Sequence, residues 1–129
     1  MSLPKRIQLK RRKGWRIPAN TVIVDRRNRR WGNPHRVGVD GTAMECVNKY
    51  ITDLMPYSHH GKSTADSMHD FLLSSANLEA IQIELRGKNI GCWCSLCEKH
   101  QDGLPYGEKC TDCAPCHGNF LLDIANMPE

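Results

Sequence analysis

Two C-x-x-C pairs, Cys94–Cys97 and Cys110–Cys113, lie 12 residues apart in this chain. Each pair sets two thiolates at the spacing a tetrahedral zinc ion requires, so their repetition after a short loop points to a structural zinc site. That constrains the fold more than any other stretch. Between Asn89 and Asn126 lie six of the seven cysteines, with Cys92, Cys116, His100 and His117 close to the two pairs. An odd cysteine count argues against a secreted disulfide scaffold, as does an N-terminal stretch, MSLPKRIQLK, without the apolar core of a leader peptide. No stretch approaches the ~20 apolar residues of a membrane span. The expected setting is soluble, reducing and cytoplasmic, without membrane contact.

Charge is distributed unevenly along the 129 residues, which are enough for one ordinary domain. Residues 1 to 36 carry 12 of the 18 Lys and Arg and a single acid, Asp25, while the rest of the chain is acidic. Such a basic region is a candidate footprint for DNA, RNA or a phosphorylated small molecule. It equally fits a solvated segment that neutralises the acidic remainder. Residues 1–13 read as a basic flexible arm or a short edge strand through Ile7 and Leu9, followed by one domain over 14–129.

The β-branched run Thr21–Val24 predicts a first core strand over Thr21 to Asp25. It delivers Arg26, Arg27, Arg29 and Arg30 to its carboxyl end, followed by Trp31, Gly32, Asn33 and Pro34. In α/β domains ligands bind at the carboxyl ends of strands, so this loop is placed to grip an anion, with Gly32 allowing close backbone approach. An ordinary surface turn, with Trp31 covering the core edge, fits as well. Asp40 to Pro56 has helical spacing, with Thr42 and Glu45 in capping-box positions and Met44, Val47, Tyr50, Ile51 and Leu54 facing inward. Cys46 reads as a core residue. A polar loop over 57–65 holds His59 and His60, expected in solvent. Helices are predicted over Thr64–Ser74, burying Met68, Phe71 and Leu72, and over Leu78–Arg86, starting at Asn77, burying Ile81 and either Ile83 or Leu85, and ending at Gly87. A second strand over Lys88–Cys94 and a closing helix over Asn119–Met127 complete an α/β domain with a small, mostly parallel sheet flanked by helices.

The ordered motifs WRIPANTVIVDR, RWGNP, LRGKNIGCWC and PCHGNFLLDIAN resemble the family known as domain of unknown function 4326, found in bacteria and phages. The resemblance spans about Gly14 to Asn126 and implies no particular activity. It implies that the CWC at the strand end and the PCH opening the last helix form one shared site, and that about 95–114 is an inserted zinc-binding hairpin. On that comparison Cys92, Cys94, Cys116 and His117 belong to the core, and Cys97, His100, Cys110 and Cys113 hold Zn2+ in a closed structural site. A rival set replaces His100 with Cys94, and spacing alone does not separate the two.

Two functions of different class follow. One is an enzyme acting on a nucleotide or nucleoside-like group, with Cys116 or Cys94 as nucleophile and His117 as acid/base. Arg26, Arg27 and Arg30 would grip the anion beside Gly32 and Asn33, and Trp31 or Trp93 would stack on a base. A thiol at a helix start, next to an imidazolium, has its thiolate favoured. The other is a zinc-stabilised nucleic-acid-binding module that uses the basic N-terminal region without chemistry.

Overall fold

The computed structural model describes residues 3–55 and 67–128, with side chains in the second helix described from Leu72 onward. Its elements are β1 (Lys5–Gln8), β2 (Thr21–Ile23), α1 (Ala43–Leu54), α2 (Ser67–Leu85), β3 (Asn89–Cys92), a 3-10 turn (Glu98–His100), β4 (Leu104–Pro105) and α3 (His117–Ala125). The sheet order is β2-β3-β1-β4. β1 and β2 both run parallel to β3, in step at Ile90, which faces Arg6 on one side and Val22 on the other. β4 is antiparallel to β1. The expected α/β class with a mostly parallel sheet is therefore observed.

The N-terminal stretch departs from expectation. β1 is neither a flexible arm nor an edge strand; it is paired on both sides, and Arg6 within it is fully buried. Its guanidinium finds neutral acceptors: Nε donates to Asn119 Oδ1, Nη1 to the carbonyls of Ile7 and Cys92, and Nη2 to that of Cys94 at 2.7 Å. Charge density in the sequence conceals this because Arg is normally exposed.

α1 begins as predicted. Glu45 N–H donates to Thr42 Oγ1 and Thr42 N–H to Glu45 Oε1, closing the capping box. Tyr50 and Cys46 are buried, whereas Met44 is exposed. The two helices expected around Asn77 are one continuous helix. Asn77 does not start a new one, because its side chain donates to the carbonyl of Leu54 at the end of α1. Ile81 and Leu85 are buried as expected, but Ile83 and Leu72 face solvent. The expected loop over 57–65 with His59 and His60, the start of a helix at Thr64, and the burial of Met68 and Phe71 lie outside the described residues and side chains. α3 packs on β3, β1 and α2, burying Leu121, Leu122 and Ala125. The main core joins these to Val24, Trp31, Tyr50 and Ile90, and a small satellite core forms around Leu96, Leu104 and Cys113.

Candidate functional site

Chemistry-bearing residues gather in two clusters, one within the stretch that links β3 to α3 and one where the two ends of that stretch meet. The first lies in the satellite core. The 3-10 turn starts immediately after Cys97 and brings His100 back over it, with Nδ1 3.1 Å from Cys97 Sγ and 3.6 Å from Cys113 Sγ. Cys97 Sγ lies 3.7 Å from Cys110 Sγ. All four ligand atoms lie within 4.8 Å of one another, which fits the roughly 3.5–3.8 Å edges of a tetrahedral zinc site. His100 Nε2 is hydrogen-bonded to Glu108 Oε2, the outer carboxylate that fixes a ligating tautomer. Cys97 N–H donates to Cys113 Sγ.

This is the His-containing set; Cys94, the member of the rival set, lies elsewhere, 3.9 Å from Cys92. The electrostatics suit thiolate ligation. Burial pushes the Cys97 thiol up, but hydrogen bonds from His100, Cys113 and Cys110 outweigh it and bring its pKa down to about 7. The hydrogen bond to Cys97 raises the pKa of His100.

The second cluster lies where the carboxyl ends of β1, β2 and β3 meet the N-terminus of α3. A cavity of about 710 Å3 opens there, with Arg11, Arg26, Arg27, Asn33, Trp93 and Cys94 in its walls and Cys92, Cys116 and His117 also lining it. Arg11 follows β1, Arg26 and Arg27 follow β2, and Trp93 and Cys94 follow β3, so one parallel sheet edge delivers them all. Asp25 also lines the cavity, and it accepts from Arg27 Nε and Nη2 and from Trp93 Nε1. These donors, Arg27 foremost, hold its carboxyl below the usual range. The Arg11 guanidinium lies 5.0 Å over the Trp93 ring.

The loop after β2 divides. Arg26, Arg27 and Asn33 reach the cavity; Arg30, Trp31 and Gly32 do not. Arg30, expected to anchor the anion, instead pairs with Glu84 of α2 and stacks on Trp31. Trp31 is buried and accepts at its carbonyl from Tyr50 Oη, so it covers the core and leaves no face for a base. Gly32 serves close approach within the loop, not to a ligand, since a Cβ there would meet the carbonyl oxygens of Asp25 and Asn28 at 2.4 and 2.5 Å. Asn28 organises this turn: its Oδ1 accepts from the backbone of Arg30 and Trp31, and its Nδ2 donates to the carbonyl of Ile23.

Cys116 is the N-cap of α3 and its Sγ accepts from Gly118 N–H at 3.3 Å. The bonded thiols Cys92 and Cys94, together with burial, nevertheless push the Cys116 thiol well up, and burial pushes the His117 imidazole down. The thiol shift is the reverse of what the helix start predicts, because the neighbouring thiols Cys92 and Cys94, with burial, outweigh the helix dipole, while at His117 burial disfavours the charged imidazole. Of the thiols expected to do chemistry, Cys94 is the half-buried one in the cavity wall. Sequence reasoning missed Arg6, Arg11, Asp25 and His35 as part of this region. Only Asp25, the single acid in the basic segment, left a signal.

Among the described residues, no helix is long and apolar enough to cross a membrane. No curated protein and no solved structure matches the chain. One family does, over residues 7–127: it is described as Domain of unknown function (DUF4326).

Proposed function

Since the chain belongs to that family, whose description names no activity, we propose from its geometry that it binds a nucleotide or nucleoside-like anion in the cavity at the sheet's carboxyl edge. Zn2+ held by Cys97, His100, Cys110 and Cys113 serves as a structural clasp. The observation that carries this reading is the composition of the cavity rim. Arg11, Arg26 and Arg27 supply three guanidinium groups against one acid, Asp25, which Arg27 already neutralises. Trp93, 40% exposed, supplies an indole ring beside them. A volume of about 710 Å3 suits a nucleotide-sized ligand. Guanidinium forks recognise phosphate oxygens, and an indole face stacks on any base.

A second reading, a nucleic-acid-binding module, draws on the exposed run of Arg11, Arg12 and Lys13 that leaves β1 at the same edge. Calorimetric titration of the zinc-loaded chain with nucleoside mono- and diphosphates tests the first. Arg26→Ala is expected to weaken binding roughly tenfold, the loss of one charge-assisted contact, and Trp93→Ala to weaken it comparably. Absence of heat with every nucleotide, or unchanged affinity in both variants, would sink it. Salt-sensitive binding of DNA or RNA that needs the basic run, but not Arg26, would favour the module.

A further inference from the structure

Beneath the cavity, Cys92, Cys116 and His117 are all buried, and their two sulfurs and a ring nitrogen lie within 4.8 Å of one another. Nucleotide binding at the rim makes no use of Cys92, and the clasp does not reach it. We infer that Cys92, Cys94, Cys116 and Nδ1 of His117 form a second metal centre, a thiolate-rich site for a divalent cation of the zinc class.

Three observations of different kind converge on it. The first is spacing. A tetrahedral zinc ion with thiolate and imidazole ligands has ligand–ligand edges of roughly 3.5–3.8 Å. Cys92 Sγ lies 3.9 Å from Cys94 Sγ, and Cys116 Sγ lies 4.0 Å from His117 Nδ1. Cys92, Cys116 and His117 already form a compact group, whereas Cys94 lies outside it and must turn its half-buried thiol inward to complete the shell.

The second is the tautomer of His117. Its Nε2 lies 2.8 Å from the carbonyl oxygen of Val24, which can only accept. Nε2 therefore carries the hydrogen, and Nδ1 turns its lone pair toward the sulfurs. The clasp is built the same way, with His100 Nδ1 toward its sulfurs and Nε2 held by Glu108.

The third is charge. Arg6 is fully buried, yet all its hydrogen bonds go to neutral oxygens, two of them the carbonyls of Cys92 and Cys94. Among the described residues no carboxylate forms a salt bridge with it. A buried guanidinium without a counter-charge is costly. A divalent cation with three thiolates and one neutral imidazole sums to one negative charge, which balances Arg6. Binding releases the protons of the three thiols to solvent, and sulfur and metal change no oxidation state.

The test is metal stoichiometry by Co2+ titration of the untagged, metal-stripped chain under reducing conditions. Two equivalents are expected, both raising thiolate-to-cobalt charge-transfer and tetrahedral d–d absorption. Cys97→Ser with Cys110→Ser should leave one equivalent, and Cys116→Ser should also leave one. Saturation of the wild-type chain at one equivalent overturns the proposal, as does a folded Cys116→Ser that still takes two. Should Cys116→Ser fail to fold, the wild-type stoichiometry decides. The count is read without nucleotide, so it stands or falls separately from ligand binding at the rim.

Discussion

Arg6 and Asp25 are both buried, bear opposite charges and meet them differently. Arg6 spreads its fork over four oxygens, on β1, β3, the turn after β3 and α3. Lysine in its place keeps the charge but cannot span those acceptors. Arg6→Lys is therefore expected to lower unfolding stability by about 2 kcal/mol in urea titrations, and a change below about 0.5 kcal/mol would show the fork to be dispensable. Asp25 depends mainly on Arg27, which is itself exposed. Its folded pKa is depressed, so its contribution to stability is present above the unfolded value near 3.8 and is lost as pH falls through the lower folded value. Thermal unfolding followed from pH 6 down to pH 2.5 should show a steeper loss in the wild type than in Asp25→Asn; parallel curves would remove the pair from the stability of the fold. Legibility differs between these residues for a physical reason. The cysteine spacing of the clasp is local and encodes its geometry, whereas Arg6 gains its acceptors only when strands distant in sequence come together.

At the level of elements the same distinction holds. The capping box of Thr42 and Glu45 is written within four residues, and α1 starts where the sequence says. Asn77 carries an equally good start signal, but its side chain is taken up by the carbonyl of Leu54, so the helix runs on through it. β1 is so short and charged that its sequence reads only as a flexible arm or an edge strand, yet it is held between β3 and β4. The stretch from Leu96 to Cys113 has few apolar side chains of its own, so under the proposed clasp the binding energy of a metal there would be folding energy. Cys110→Ser, which deletes one clasp ligand, should accelerate amide hydrogen exchange at Tyr106 and Ala114, whose N–H groups donate to Pro4 and Ser95. The amides of Leu9 and Val24, bonded to the carbonyls of Cys92 and Gly91, should keep their protection. Equal protection throughout would mean that the clasp does not stabilise this segment.

Across the whole molecule, the parallel order β2-β3-β1 aligns three strand ends, and that alignment gathers Arg11, Arg26, Trp93, Cys94 and the start of α3 around one cavity. The strand edge and the loop after β2 were legible in the sequence, and of the three anion-gripping residues expected there Arg26 and Arg27 line the cavity while Arg30 points its charge at Glu84 instead. The basic N-terminal segment thereby changes meaning: part of it is sheet, part of it is buried, and Arg11 is a wall of the site. None of Cys97, His100, Cys110 and Cys113 lines this cavity, so the proposed clasp and the proposed ligand site can be altered separately. The most direct test is a crystal structure of the zinc-loaded chain grown with a mixture of nucleoside monophosphates. The geometry predicts ligand density in the cavity, with phosphate at Arg26 and a base against Trp93; nucleotide bound on another surface, with this cavity empty, would contradict it.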